Sequence, residues 1–285
     1  MLRVIYIAGS PYQAYYLALL TGLGVGWFAF VLSEDLLWKQ PGTINRLRTF
    51  TLSSFYYIII MTCCIQGASY FHFLFDIIPE HIRRNLTLKA MLLTNPIGST
   101  KVLYGTIFFY PLGVFLMSLN NLREKFIPYL DGKTFVLFLV VGFNRIGCFL
   151  NGCCYGVQSD LLGIRFPSNS AVAYEQLKRG LKRGLTPGSF PAPSLPVIPT
   201  QFIEAVFLFA LSYFSWRAAK RGGKDIFVRF VLSYAVFRFF IEFIRDDMDR
   251  AYWWIFSASQ WLSLMIFIAY AVYRLYRRKG RDAAV

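Results

Sequence analysis

Seven apolar runs long enough to cross a lipid bilayer recur along this 285-residue chain, at about 14–33, 52–75, 102–119, 134–150, 201–219, 226–245 and 252–274. Nothing constrains the fold more. A polypeptide in hydrocarbon must pair its own N–H and C=O groups, and a helix does so within one segment. The expectation is an all-α polytopic membrane protein of about seven transmembrane helices. It is read as one domain over 1–285, with a small external head, residues 157–200, inserted between the fourth and fifth helices. The chain is 56% hydrophobic and 19% aromatic, which is too apolar for a soluble protein of this length.

The formal charge is +15. Basic residues lie mainly in loops and at the C-terminus, which points to anionic lipid headgroups. No nucleic-acid-binding motif is visible and no nucleic-acid partner is expected. Placing the C-terminus in the cytoplasm gives that side the larger share of Lys and Arg, by a modest margin. The expectation is therefore a multi-pass membrane protein with the N-terminus outside and the C-terminus cytoplasmic. The first residues do not have the form of a cleaved signal peptide.

Two stretches carry charge at membrane depth. The first is Val141 to Gly156, VGFNRIGCFLNGCCYG. It joins Asn144, Arg145, Cys148, Asn151, Cys153 and Cys154 to four glycines that allow close approach of a helix or a ligand. The second is Tyr234 to Arg250. There Tyr234, Arg238, Glu242 and Arg245 fall at i, i+4, i+8 and i+11, one polar stripe on a helix otherwise rich in Phe, Ile and Val. A charge inside a membrane segment is costly and generally functional. Two arginines against one glutamate give a net positive stripe, a seat for a lipid phosphate because guanidinium offers paired donors. The alternative is an ion-pair stripe that only holds helices together.

Other polar features are weaker. His72 and His81 are nine residues apart and lack a metal-ligand pattern, and both are read as satisfied interfacial residues. The five cysteines, 63, 64, 148, 153 and 154, do not form a secreted disulfide framework. For Cys148, Cys153 and Cys154 the open roles are nucleophile, disulfide, metal ligand or packing. Packing is favoured for at least two of them, and neither a metal nor a cofactor is expected. The head contains Leu162–Pro167, read as a short strand, a helical stretch Ser170–Arg183, and a Pro-rich run, Pro187–Pro199. Phe166, Tyr174 and Phe190 are available to pack it.

Between about 100 and 270 the chain resembles the bacterial prolipoprotein diacylglyceryl transferase family. The motifs are Asn144–Gly156, Gly163-Ile-Arg-Phe-Pro167, Pro199-Thr-Gln-Phe-Ile-Glu204, Tyr234–Arg245 and a late Gln260. Members of that family move the diacylglyceryl group of phosphatidylglycerol onto a lipoprotein cysteine and release glycerol phosphate. The resemblance implies catalytic roles for Arg145, Arg238, Glu242 and Arg245, with Tyr104 among the candidate bases. It implies substrate contacts for Tyr234 and Gly156, and Asn144, Asn151, Cys148, Cys153, Gln201 and Gln260 on the same motifs are expected to line the substrate beside them. The chain departs from the family pattern at several points. Cys148 stands where the family has Asn, Cys153 where it has Glu, and Asn144 where it has Gly. Tyr104-Gly105-Thr106 replaces a His-Gly-Gly element, and Ile198 replaces a His. The implied partners are a membrane phospholipid and, as one candidate acceptor, a lipoprotein precursor. The rival readings are a non-catalytic lipid-binding protein and an enzyme using the same donor with another acceptor.

Overall fold

The computed structural model describes residues 11–33, 43–73, 103–118, 126–182, 193–247, 252–253 and 255–282. Among them are eight helices and one two-stranded ribbon. The helices are α1 (Pro11–Leu32), α2 (Thr43–His72), α3 (Leu103–Ser118), α4 (Phe126–Asn151), α5 (Ala171–Lys182), α6 (Thr200–Lys220), α7 (Ile226–Ile241) and α8 (Ala258–Asp282). The strands β1 (Tyr252–Trp253) and β2 (Phe256–Ser257) pair antiparallel. Helices α1, α2, α4, α6 and α8 are long and apolar enough to cross a membrane. A helix of 22 residues spans about 33 Å, close to the hydrocarbon thickness. The outward faces carry exposed Leu20, Phe28, Phe55, Phe214, Phe240 and Ile268. Such a surface suits lipid, not water.

Helix α4 is the centre. It is the most buried of the five long helices, and it packs most extensively on α6 and α1 while α2 packs on α3. Small residues set these distances. A Cβ on Gly22 or Gly26 of α1 would run into Phe143 or Val140 of α4, whereas Gly24 faces open space. Gly105 of α3 lies against the backbone of Gly67 and Ala68 in α2. Backbone cannot swing aside as a side chain can, so Gly105→Ala should cost about 1–3 kcal/mol. A lower thermal-unfolding temperature in detergent is the readout, and an unchanged one would show that α2 and α3 can separate freely.

Contacts fix the helix directions. Asp131 near the start of α4 accepts a hydrogen bond from Phe227 N at the start of α7, 2.9 Å. Ser212 Oγ, late in α6, donates to Phe135 O early in α4, 2.8 Å. At the opposite end of the bundle the finish of α4 meets the start of α6, the finish of α7 and the start of α8. The described residues 152–182 and 193–199 lie against that end. They have their own small core of Tyr155, Phe166, Val172 and Val197, with Phe149 and Ile164 packed on it. Arg179 of α5 holds Asp246 beyond α7, and Tyr155 donates to Glu175 Oε2, 2.8 Å. Burial and that carboxylate both push the Tyr155 phenol well up, so it stays a donor.

Several expectations are amended. Helix α2 begins at Thr43, so Arg46 and Arg48 sit on its first turns and not in a loop. Lys133 is no loop residue either. It is buried in α4, with Nζ donating to Phe30 O at 3.1 Å and to Ser33 Oγ at 2.7 Å. The Leu162–Pro167 segment forms one isolated bridge, Ile164 with Val197, in place of a strand. The seventh apolar run opens as the β1–β2 ribbon and becomes helix only at Ala258. His81, Arg183, Phe190 and residues 187–192 of the Pro-rich run lie outside the described residues, as does the side chain of His72.

Candidate functional site

The site begins with how α4 ends. Gly152 adopts φ +71°, a left-handed conformation that glycine takes without steric cost. Gly152 N then reaches Phe149 O at 3.1 Å, and Cys153 N reaches Cys148 O at 3.2 Å. This is the paired hydrogen-bond pattern of a Schellman cap. Cys154 follows at φ +60°, a conformation that costs a non-glycine residue about 1–3 kcal/mol. The chain is thereby folded back over the last turn of α4. Thr200 Oγ1 donates to Cys154 O at 2.7 Å and Gln201 Nε2 to Cys153 O at 2.6 Å, so the start of α6 holds the turn in place. Gly156 N donates to Ile198 O, and Val157 N to Ile244 O, both at 2.8 Å. A Cβ at Gly156 would press on Thr200 and Ile198.

Around this turn lies a buried ladder of charge. Arg145 Nε is 3.1 Å from Glu204 Oε2, off the line of a hydrogen bond, so the contact is an ion pair. Arg238 Nη1 approaches the same oxygen at 3.5 Å, and its Nη2 meets Glu242 Oε2 at 2.9 Å. Arg245 Nη1 lies 3.4 Å from Glu242 Oε2. Arg245 also grips Asp247 with two bonds, Nε to Oδ1 at 3.0 Å and Nη2 to Oδ2 at 2.9 Å. All six side chains are buried. Tyr234 OH donates to Glu204 Oε1 at 2.7 Å, and Arg238 Nη2 to Ser259 Oγ at 3.2 Å. Three cations therefore face three carboxylates drawn from α4, α6, α7 and the turn after α7. The positive stripe expected on α7 alone is balanced by groups from its neighbours. Regular helix stops at Ile241, and Arg245 reaches the ladder from a bridge with Gly156.

The structure brings Arg145, Arg238, Glu242, Arg245 and Tyr234 together, and it places Tyr104 beside them. The Tyr104 ring meets that of Tyr234 edge-on, 5.8 Å between centroids. Its hydroxyl is 2.5 Å from Ser263 Oγ, and Ser263 in turn donates to Ser259 O at 3.0 Å. With the Ser263 proton on Ser259 O, Tyr104 is the donor of the pair. Gln201 is buried, and its Oε1 has no hydrogen-bond partner among the described residues. Gln260 caps the start of α8, accepting from Ser257 N at 3.0 Å, and donates to Phe239 O at 3.3 Å. Asn144 is turned away, accepting from Tyr15 OH of α1 at 2.8 Å. Asn151 is half-buried at the end of α4. Cys148, Cys153 and Cys154 are free thiols whose sulfurs all lie within 4.8 Å of one another.

Asp247, Ser259 and Ser263 were not singled out from the sequence, and Glu204 closes the Pro199–Glu204 motif there without a role. For Glu204 the signal existed: it is the lone acid in an apolar helix, and such a residue is costly without a partner.

A family model described as prolipoprotein diacylglyceryl transferase matches residues 3–276. The chain belongs to the prolipoprotein diacylglyceryl transferase family. It is 34% identical over 189 residues to "Phosphatidylglycerol--prolipoprotein diacylglyceryl transferase 2" of Clostridium perfringens, covering 65% of each chain. It is 31% identical over 176 residues to the Clostridium tetani protein named "Phosphatidylglycerol--prolipoprotein diacylglyceryl transferase", covering 60% of this chain and 62% of that one. A Dehalococcoides mccartyi protein of the same name is 29% identical over 150 residues, with 52% and 50% covered. The chain thus spans less than two thirds of the length of these relatives.

Proposed function

We propose that this family member moves a diacylglyceryl group from phosphatidylglycerol to an acceptor thiol, with a prolipoprotein cysteine as the leading acceptor. Family membership, the relatives' names and one observation support the reading. The observation is the ladder: three buried guanidiniums tied in series by Glu204 and Glu242. Each guanidinium has five N–H donors, so an ion pair leaves donors for an anion. In the transfer, negative charge collects on the departing glycerol phosphate, and prepositioned arginines stabilise it where water cannot. Glu204 and Glu242, each shared by two arginines, set the spacing of the clamp. Gln201 Oε1 supplies an acceptor for a hydroxyl or N–H of a bound substrate. Arg145, Arg238 and Arg245 are the catalytic contacts in this reading, and Tyr234 is a positioning residue.

In this reading the described residues 157–182 and 193–200 cover the site from outside the membrane, and the C-terminus is cytoplasmic. Leu161 is 90% exposed. A Leu161→Cys variant should react with a membrane-impermeant maleimide in intact spheroplasts, against the parent as control. Labelling only after lysis would invert the topology.

The direct test of function is incubation of purified protein with labelled phosphatidylglycerol, with mass analysis of every lipid product. Glycerol phosphate release is expected. A second reading, a non-catalytic lipid-binding protein, draws on Tyr104, which stands in the family's His position with its hydroxyl committed to Ser263. Tight lipid binding without release would establish it.

A further inference from the structure

The three thiols at the end of α4 have a use that packing does not require. Cys148 sits in the last turn of the helix. The Schellman cap at Gly152 and the left-handed residue Cys154 bring the next two cysteines back over it, so that all three sulfurs lie within 4.8 Å of one another. In a tetrahedral zinc site, with Zn–S near 2.3 Å, neighbouring sulfurs are about 3.8 Å apart. Small side-chain rotations would close the cluster onto an ion. Among the described residues no fourth cysteine, histidine or carboxylate joins the group. Structural zinc sites are closed by four protein ligands, whereas catalytic ones keep three and leave a position open.

The charge around the cluster also fits. Three thiolates around a divalent ion leave one negative charge. Arg145 Nη1 is 4.0 Å from Cys148 Sγ, and its other edge faces Glu204. The same guanidinium thus borders both the thiols and the proposed phosphate clamp. An ion on the thiols would sit next to the place where the donor lipid reacts. That juxtaposition bears on the step that the ladder leaves unserved. The acceptor thiol must lose its proton, and Glu242 is engaged by two arginines while Tyr104 donates to Ser263. A metal ion with an open position deprotonates a thiol that binds it.

We propose that Cys148, Cys153 and Cys154 hold a zinc-type divalent cation whose open fourth position binds the acceptor thiol. This rests on the transferase reading above. The acceptor binds as its thiolate and its proton passes to solvent. The sulfur lone pair forms a C–S bond to the glyceryl carbon bearing the phosphate ester. The C–O bond to phosphate breaks with its electron pair on oxygen, and glycerol phosphate leaves against the arginines. The products are a thioether and a phosphate monoester, and the ion does not change oxidation state.

The test uses full-length protein in detergent, reduced, stripped with a chelator, and titrated with Co²⁺ as a spectroscopic probe. The expected result is thiolate-to-cobalt charge-transfer absorption that saturates at one equivalent and is displaced by Zn²⁺. Cys148→Ser and Cys154→Ser should each abolish it, and Cys63→Ser should leave it intact. Thermal unfolding of each variant identifies any that fail through misfolding, and the zinc content of parent protein purified without chelator is an independent readout. A cysteine-containing peptide should shift the ligand-field bands as its sulfur occupies the fourth position. Absence of the charge-transfer band, its survival in the Cys148 and Cys154 variants, or a disulfide within the cluster would overturn the site. One equivalent bound, with glycerol phosphate release unaffected by stripping, would overturn its role in activating the acceptor. A parent that binds cobalt at the thiols but releases no glycerol phosphate would fail the transferase reading and leave the metal site standing.

Discussion

Glu204→Ala is expected to lower the stability of the folded protein by about 3–5 kcal/mol. The carboxylate is buried, it faces Arg145 at 3.1 Å and Arg238 at 3.5 Å, and it accepts the Tyr234 hydroxyl at 2.7 Å. Removing it strands the Arg145 guanidinium where solvent cannot reach it and leaves Arg238 to Glu242, which Arg245 already shares. The loss is therefore the cost of uncompensated charge, larger than the net value of the original pairs. Glu204→Gln keeps an acceptor for Tyr234 but not the charge, and it should fall between parent and Ala. Adding Arg145→Met to Glu204→Ala should restore part of the stability, since the stranded charge is gone. Thermal unfolding in detergent measures all three. Equal unfolding temperatures for parent and Glu204→Ala would mean that water enters the ladder and screens it.

Arg238→Lys should lower glycerol phosphate release by about 10²–10³-fold although the charge is kept. Arg238 uses separate nitrogens for Glu204 and Glu242, and the second of these also donates to Ser259. A lysine ammonium is a single point on a flexible stem. It cannot bridge both carboxylates and still offer a fixed donor pair to a phosphate. The loss should fall on kcat and kcat/KM alike, because the charge to be stabilised builds up only in the transition state. A variant with full turnover would reduce the ladder to a structural ion-pair stripe. Arg145→Ala and Arg245→Ala should show losses of similar size if each donates to the same leaving group.

The membrane class was legible in the sequence because hydrocarbon imposes a rule on every residue of a segment. The resemblance named the family, and its motifs pointed to Arg145, Arg238, Glu242 and Arg245. Their partners were harder to see. The stripe on α7 gave two arginines and one glutamate, an imbalance that invited a phosphate. Glu204 and Asp247 restore the balance from α6 and from the turn after α7; the first pairs with residues far off in the chain, and the second, two residues from Arg245, can face it only because the helix has ended. The last turn of α7 was misplaced for a similar reason. The apolar pattern runs on to Arg245, but backbone bonding to Tyr155 and Val157 takes over after Ile241.

What the sequence determined by itself was the set of helices that need lipid around them and the charged residues too costly to be idle there. Both follow from transfer energies that act on each segment separately. The tertiary structure alone decided which charges face each other, that Asn144 turns to α1, and that three cysteines share one corner. Ion pairs and ligand sets depend on distances of a few ångströms between helices. Those distances are set by glycines such as Gly22, Gly26 and Gly105, and by the cap at Gly152, whose positive φ folds Cys153 and Cys154 back over Cys148.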